Sequence, residues 1–214
     1  MSLAQTARGN GAGREAVMLR RLAGGLAGAA AMALAGGAEA QVGMTVTGGG
    51  NSLACAASAK KGETGVRVEQ TCTTALETEP MLPMDRAGTY VNRGVIRLRG
   101  QRYGEAVTDF DTALDYKADF AEAYVNRGAA RIGLRKFADA LSDLNKAITL
   151  GVQEPEKAYY NRALAHEWLD DPKSAWLDYQ KALALAPDWD LVKQQLTRFT
   201  VSHADVAIPA TAKP

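Results

Sequence analysis

The sequence predicts an all-α fold, an α-solenoid of stacked antiparallel helical hairpins. The pentapeptide YVNRG occurs at residues 90–94 and 124–128, and the near copy YYNRA occurs at 159–163. The intervals are 34 residues from Asn92 to Asn126 and 35 residues from Asn126 to Asn161, a period typical of stacked two-helix repeats. The composition agrees, because the chain is 47% apolar, with much of that share Ala, and contains only 7 Pro.

Residues 1–40 are predicted to be a secretory signal peptide. Arg14, Arg20 and Arg21 precede a stretch without charge, and small residues at 38 and 40 suit a cut before Gln41. The uncharged stretch is short and diluted by Gly, so it is a poor membrane span. We therefore expect a periplasmic or secreted bacterial protein with no membrane span after cleavage. The alternatives are an Ala-rich linker or an uncleaved anchor, and translation starting at Met18 instead of Met1.

Charge and cysteine content limit the function classes. Lys and Arg number 25 against 24 Asp and Glu, so no basic face for nucleic acid is expected. Cys55 and Cys72 both follow the predicted cut, and an even number of cysteines in an oxidising compartment favours one disulfide. No metal site is expected, because His166 and His203 have no ligand spacing to the cysteines.

Each repeat unit divides into two predicted helices that need close contact. With units beginning at residues 87, 121 and 156, positions 8 and 20 are small, position 24 is large and position 27 is Ala. The residues at positions 8, 20 and 24 are Gly94, Gly128 and Ala163, then Ala106, Ala140 and Ala175, then Phe110, Leu144 and Tyr179. Small residues let antiparallel helices approach backbone to backbone, and the large residue fills the seam. Pro187 ends the third unit.

This pattern resembles the tetratricopeptide repeat (TPR) family, whose position 32 is usually Pro. The resemblance implies three TPR units, at 87–120, 121–155 and 156–189. Ala118 and Val152 replace the usual Pro, and Arg replaces the usual Leu at position 7. Asn-Arg-Gly at positions 6 to 8 is similar to a common variant of the family.

The same numbering, extended upstream, predicts a degenerate repeat at 49–82 within an N-terminal segment of 41–86. Cys55 and Cys72 then occupy positions 7 and 24, which face each other within one hairpin. Our hypothesis is that a disulfide joins them. The alternative is a flexible leader with two free thiols.

A capping helix is predicted at the other end of the array, over 190–201. Leu191, Leu196 and Phe199 would cover the apolar face of the third unit. Residues 202–214 are predicted to be a flexible tail.

In the TPR family the first helix of each unit lines a concave groove, so the resemblance implies that position 6 faces a partner. That position is Asn92, Asn126 and Asn161. Asn in a helix interior costs about 0.6 kcal/mol relative to Ala, so three in register need an explanation. An amide offers both a donor and an acceptor, and a column of amides can hold the backbone of an extended peptide. The alternative is that each Asn bonds the neighbouring repeat or was simply copied by duplication.

The remaining residues predicted to bind a partner surround this column: Val91, Leu98, Val125, Tyr160 and Trp168. A core role is the alternative for the aliphatic residues, whereas aromatic residues are frequent hot spots.

Some TPR proteins clamp a C-terminal carboxylate, and this chain matches that pattern only in part. Asn126 and Lys157 match, but Val91, Val95 and Asn161 do not. We therefore do not expect a carboxylate clamp here.

Position 7 is predicted to be structural. Arg93, Arg127 and Arg162 are each followed sixteen residues later by Asp109, Asp143 and Asp178, which suggests an ion pair within each hairpin. The degenerate unit lacks both members, since it has Cys55 and Thr71 there.

The sequence favours a non-catalytic protein- or peptide-binding scaffold or adaptor in the bacterial cell envelope, with no cofactor. No phosphate loop, nucleophile motif or metal spacing is present, and His166 stands at position 11, where the other units have Arg97 and Arg131. The alternatives are a self-assembling subunit of an envelope complex, a small-ligand or glycan binder, and an enzyme accessory.

Overall fold

The computed structural model describes residues 17–21, 38–40 and 43–203. This part of the chain contains four antiparallel helical hairpins, one further short helix and one two-stranded sheet. The helices are α1 (Gly50–Lys61), α2 (Val66–Thr78), α3 (Pro83–Arg99), α4 (Tyr103–Tyr116), α5 (Ala121–Gly133), α6 (Phe137–Leu150), α7 (Pro155–Trp168), α8 (Pro172–Leu185) and α9 (Asp190–Leu196). The strands are β1 (Val17–Arg21) and β2 (Phe199–His203). The predicted all-α solenoid is confirmed.

Close contact between the two helices of a unit depends on the small residue at position 8. A Cβ atom on Gly94 would lie 2.5 Å from Cε1 of Phe110, and one on Gly128 would lie 2.9 Å from Cγ of Leu144. Phe110 and Leu144 are fully buried in these seams. The side chain at position 24 therefore occupies the space that the Gly leaves, as the sequence pattern predicted.

The turn between the two helices uses the same backbone conformation in all three units. Gln101, Arg135 and Asp170 have φ values of 60°, 60° and 59°. In the first unit the amides of Gln101 and Arg102 bond the carbonyls of Leu98 and Arg97, which closes the helix end in a Schellman motif. Gly is the usual residue at such a position because it has no Cβ, so these three residues hold the turn at a cost.

The N-terminal hairpin, α1 and α2, is closed by a disulfide between Cys55 and Cys72, both fully buried. Glu79 accepts hydrogen bonds from the amides of Asn51 and Ser52 at 2.7 and 3.1 Å and so caps the first turn of α1. The hairpin covers the first TPR unit through polar contacts as well as core packing. For example, Arg97 of α3 lies 2.7 Å from Glu69 of α2.

The C-terminal end differs from the predicted helix over 190–201. Helix α9 ends at Leu196, and the chain then enters β2, which pairs antiparallel with β1 so that Arg21 lies opposite Phe199. The β-branched residues Thr200 and Val201 favour an extended backbone over a helix. Arg198, two residues after the end of the helix, binds the buried carboxylate of Glu167 at 2.6 Å.

The two ends of the sequence are described only in part. Strand β1 falls within the predicted signal peptide and residues 202–203 within the predicted tail, while 1–16, 22–37 and 204–214 lie outside the described residues. Cleavage of residues 1–40 stays a prediction. Among the described residues, no helix is long and apolar enough to cross a membrane, and no three His, Cys, Asp or Glu side chains are grouped to hold a metal ion.

Candidate functional site

The three Asn residues at position 6 lie on the first helices of the TPR units, α3, α5 and α7. Asn92, Asn126 and Asn161 are all fully buried. Buried amides must find hydrogen-bond partners, because an unpaired polar group removed from water destabilises the fold by about 1–3 kcal/mol. The partners of these amides therefore define the site.

Asn161 binds the backbone of Glu39. Its Oδ1 atom accepts a hydrogen bond from the Glu39 amide at 2.8 Å, and its Nδ2 atom donates one to the Glu39 carbonyl at 2.9 Å. The side-chain amide thus pairs with both polar groups of one residue, as a neighbouring strand would. No part of the Glu39 side chain takes part in this pairing.

Asn92 repeats the same arrangement at Met44. The Met44 amide donates to Oδ1 of Asn92, and Nδ2 of Asn92 donates to the Met44 carbonyl at 2.9 Å. Asn126, between them in the column, donates from Nδ2 to the carbonyl of Glu122 in its own helix at 2.9 Å. Residues 41–42, which connect the two bound positions, lie outside the described residues.

The two bound stretches, residues 38–40 and 43–47, lie at opposite ends of the Asn column. Glu39 is held by Asn161 of the third TPR unit, and Met44 is held by Asn92 of the first. We call residues 38–40 and 43–47 the groove segment; it runs opposite to the order of the repeats.

The end of the groove segment is fixed by Asp85 at the start of α3. One carboxylate oxygen accepts from the Thr47 amide at 2.8 Å, and the other accepts from the Thr47 hydroxyl at 2.8 Å. Val46, next to it, is 2% exposed and lies against Gly88, where an added Cβ would be 2.8 Å from Cγ1 of Val46. This end of the groove therefore binds side chains as well as backbone.

The other end of the groove segment carries a half-buried carboxylate. Burial raises the pKa of Glu39 above its ordinary value, and the positive charges of Lys157 and Arg99 oppose this effect. The removal of water from the Glu39 carboxylate therefore outweighs the attraction of the two cations. Arg99 also donates a hydrogen bond to the carbonyl of Ala59 in α1.

The other residues predicted to bind a partner are not exposed in the groove. Val91, Val125 and Tyr160 are fully buried, and Leu98 is 5% exposed. The Tyr160 ring packs on Tyr179 and Trp189, with centroids 5.7 and 5.0 Å away.

Trp168 is half-buried between the second and third units. Its ring stacks on Phe137 with a centroid distance of 5.1 Å, and the Arg135 guanidinium lies 4.8 Å from its centroid. The stack joins the end of α7 to the start of α6, so this ring belongs to the packing between units.

Sequence reasoning missed three features of the site: the groove segment as its occupant, and Asp85 and Gly88 as its wall. Asp85 and the groove segment lie outside the repeat units, so the repeat pattern does not include them. Gly88 stands at position 2 of the first unit, where the other units have Glu122 and Lys157. A Gly in a helix interior without a turn to explain it was the available indication.

The Arg and Asp residues of the structural set form the expected pairs. The guanidinium–carboxylate distance is 2.7 Å for Arg93–Asp109, Arg127–Asp143 and Arg162–Asp178 alike. At position 11, Arg97 and Arg131 also bind the Asp of their own unit, at 2.9 and 2.7 Å. His166 takes this place in the third unit, with Nε2 3.9 Å from Asp178.

Each Arg at position 7 also binds the preceding unit. Its Nη1 donates to the side chain at position 25 of that unit, which is Thr73 for Arg93, Asp111 for Arg127 and Asn145 for Arg162. The Tyr at position 4 lies beneath each guanidinium, with centroid distances of 5.4, 5.2 and 5.2 Å. These Arg residues therefore tie units together as well as helices within a unit.

No protein-family model matches the sequence, and no curated protein does. Solved structures are similar. The Arabidopsis OM64 TPR domain is 29% identical over 55% of this chain and 96% of its own length, with a TM-score of 0.52. The first TPR of Spaghetti (RPAP3), bound to HSP90 peptide SRMEEVD, is 28% identical over 53% of this chain and 90% of its own length, with a TM-score of 0.51.

MamA gives a longer but more distant match. It is 19% identical over 66% of this chain and 80% of its own length, with a TM-score of 0.55. At this identity the similarity concerns the fold alone. The fold of the chain is that of TPR domains, as the repeat pattern predicted.

Proposed function

We propose that the protein is a non-catalytic peptide-binding TPR scaffold or adaptor of the bacterial cell envelope. A cleaved N-terminal signal peptide exports it, and its concave groove binds an extended segment of a protein partner. One observation carries this proposal: Asn92 holds both backbone polar groups of Met44, as Asn161 holds those of Glu39 in the unprocessed chain. The two Asn pairings by themselves place no demand on the side chain of the bound residue.

The peptide-bound TPR of Spaghetti (RPAP3) supports a groove of this fold as a peptide site. The way of holding the peptide differs in our proposal. Val91 and Val95 stand where a carboxylate clamp needs Lys and Asn, and both are fully buried. We therefore propose that the partner is bound along its backbone and need not end in the groove.

The proposal assigns the groove no reaction and no cofactor. The polar side chains that hold the groove segment, Asn161, Asn92 and Asp85, are all engaged in hydrogen bonds to it. They act as binding groups. Export agrees with the buried disulfide between Cys55 and Cys72, because such bonds persist in oxidising compartments.

Affinity capture from an envelope extract tests the proposal. Wild type is compared with a triple variant, Asn92→Ala, Asn126→Ala and Asn161→Ala. We expect the triple variant to lose the partners that wild type retains and to keep its helical content by circular dichroism. The control is Gln180→Ala, a substitution of an exposed residue on α8. This variant should retain the partners that wild type retains. Capture of the same partners by the triple variant would show that the Asn column is structural.

Self-assembly is the competing function, and light scattering after size exclusion separates the two. A scaffold that binds other proteins is expected to be monomeric when free. A stable oligomer whose interface buries the groove would favour a structural subunit instead.

A further inference from the structure

We infer that the groove selects extended segments of the pattern Gly-X-X-Val-Thr, and that residues 43–47 are its resident ligand, which a partner must displace. The inference rests on the proposed function, because it names the class of peptide that the same groove takes. Three close contacts carry it, each with a different residue of the groove segment.

The first contact requires Gly at position 43. A Cβ atom on Gly43 would lie 2.6 Å from Cβ of Ala59, 2.9 Å from Oδ1 of Asn92 and 3.0 Å from the amide nitrogen of Lys60. Two of these neighbours belong to α1, whose disulfide and cap hold it in place. Any larger residue would therefore push the segment away from Asn92 and weaken the backbone pairing at Met44.

The second contact selects a small branched side chain at position 46. Val46 is 2% exposed and fills the notch that Gly88 leaves on α3, because a Cβ on Gly88 would be 2.8 Å from Cγ1 of Val46. A longer side chain does not fit this notch, and a charged one would be buried without a partner.

The third contact selects a hydroxyl at position 47. Both oxygens of Asp85 are used, one by the Thr47 amide and one by the Thr47 hydroxyl, each at 2.8 Å. Asp85 is 9% exposed, so a residue without the hydroxyl would leave one buried carboxylate oxygen with a weaker set of partners. Thr45, in contrast, is exposed, which leaves that position of the pattern open.

The segment is tethered to its binding site by a short stretch of the same chain. Thr47 is followed by helix α1 at Gly50, so the local concentration of the segment at the groove is of millimolar order. A partner with the same pattern competes against this tethered copy. Its apparent affinity is lowered until the resident segment is displaced or weakened.

Fluorescence anisotropy with a labelled peptide tests the inference on the full chain. The peptide carries residues 38–49, AEAQVGMTVTGG. We expect it to bind a Gly43→Ala chain, whose own segment is weakened, at least about tenfold more tightly than the wild-type chain. Thr45→Ala, a change in the same segment at an exposed residue, should bind the peptide as weakly as wild type.

A substitution in the groove distinguishes selection of the Val46 side chain from simple access to an emptied groove. Gly88→Ala, added to the Gly43→Ala chain, should abolish binding of the peptide because the new methyl fills the Val46 notch. Gly104→Ala is the matched helix control, since nothing lies within 4 Å of its new Cβ. Both changes favour the helix, so loss of binding only with Gly88→Ala cannot come from unfolding.

Three results would overturn the inference. Equal binding of the peptide to wild-type and Gly43→Ala chains would show that the segment is not a resident ligand. If a peptide with Ala in place of Gly43 bound as tightly as the unchanged peptide, the groove would not select Gly at that position. A wild-type dimer that becomes monomeric on Gly43→Ala would place the segment in a second copy.

The failure of this inference is distinguishable from failure of the proposed function. If partners are still captured through the Asn column while the 38–49 peptide does not bind the Gly43→Ala chain, the proposed peptide pattern is wrong. The proposed scaffold function is then still supported. If the Asn column captures no partner and the peptide does not bind, both are wrong.

Discussion

The guanidinium of Arg127 holds the carboxylate of Asp143 through two hydrogen bonds, of 3.0 Å from Nε and 2.7 Å from Nη2. Its remaining Nη1 reaches Asp111 of the preceding unit at 2.6 Å. Burial alone would lower the pKa of Arg127, but the hydrogen bonds and charges of the two Asp residues outweigh burial and raise it. One side chain therefore joins α5 to α6 and the second unit to the first.

Arg127→Ala is expected to destabilise the array without weakening peptide binding. Asp143 is 3% exposed and would keep a buried charge with Arg131 alone, which costs on the order of 3 kcal/mol when such a pair is broken on one side. The measurement is thermal unfolding by circular dichroism together with anisotropy of the 38–49 peptide in the Gly43→Ala background.

The exposed partner of Arg127 provides the control. Asp111 has half of its side chain exposed, so Asp111→Ala should cost no more than about 1 kcal/mol. If Arg127→Ala instead abolished peptide binding and left the melting temperature unchanged, the structural role of position 7 would be wrong.

Loss of the Cys55–Cys72 disulfide is expected to destabilise the N-terminal hairpin by about 3 kcal/mol, since the bond closes a loop with a sequence separation of 17. The same change should weaken docking of the groove segment, because Ala59 and Lys60 of that hairpin form the wall against Gly43. A Cys55→Ala/Cys72→Ala double variant tests both effects, by urea unfolding and by hydrogen exchange at the Met44 amide.

The redox state itself is checked by thiol titration of the unfolded, unreduced protein. No free thiol is expected. Two free thiols would contradict the bridge, and the double variant would then be expected to match wild type in both measurements.

The repeat period predicted much of this molecule because the contacts it encodes are local. Gly94 meets Phe110 and Arg93 meets Asp109 within one hairpin, so the spacing that makes the helices also makes the contacts. The occupant of the groove is a different kind of contact. Glu39 and Asn161 are 122 residues apart and interact through the Glu39 backbone, so neither residue type identifies the other.

The end of α9 shows the same limit. An apolar pattern at Leu191, Leu196 and Phe199 suits a continuous helix, and Phe199 is indeed buried in the core of the third unit. It reaches that core from a strand, and the preceding residue, Arg198, binds Glu167, 31 residues earlier in the chain. The pattern predicted which residues are buried and not the backbone that buries them.

Gln101→Gly is expected to stabilise the first TPR unit by about 1 kcal/mol. Gln101 has a φ of 60°, where a side chain with a Cβ is strained and Gly is not. The midpoint of urea unfolding is the measurement. Gln101→Ala keeps the Cβ and should give no gain, so equal stabilisation by both changes would mean that backbone strain is not the cause.

The predicted cut before Gln41 falls between the two Asn contacts and gives a test of processing. Intact mass of protein from the envelope is expected to place Gln41 at the N-terminus. The processed chain lacks Glu39, so Asn161 loses both of its hydrogen bonds to the segment, while Asn92 and Asp85 keep theirs. Asn161→Ala should therefore speed hydrogen exchange of the Met44 amide in the full chain and not in the processed chain. Asn92→Ala should speed it in both, and an effect of Asn161→Ala on the processed chain would contradict this division of the groove.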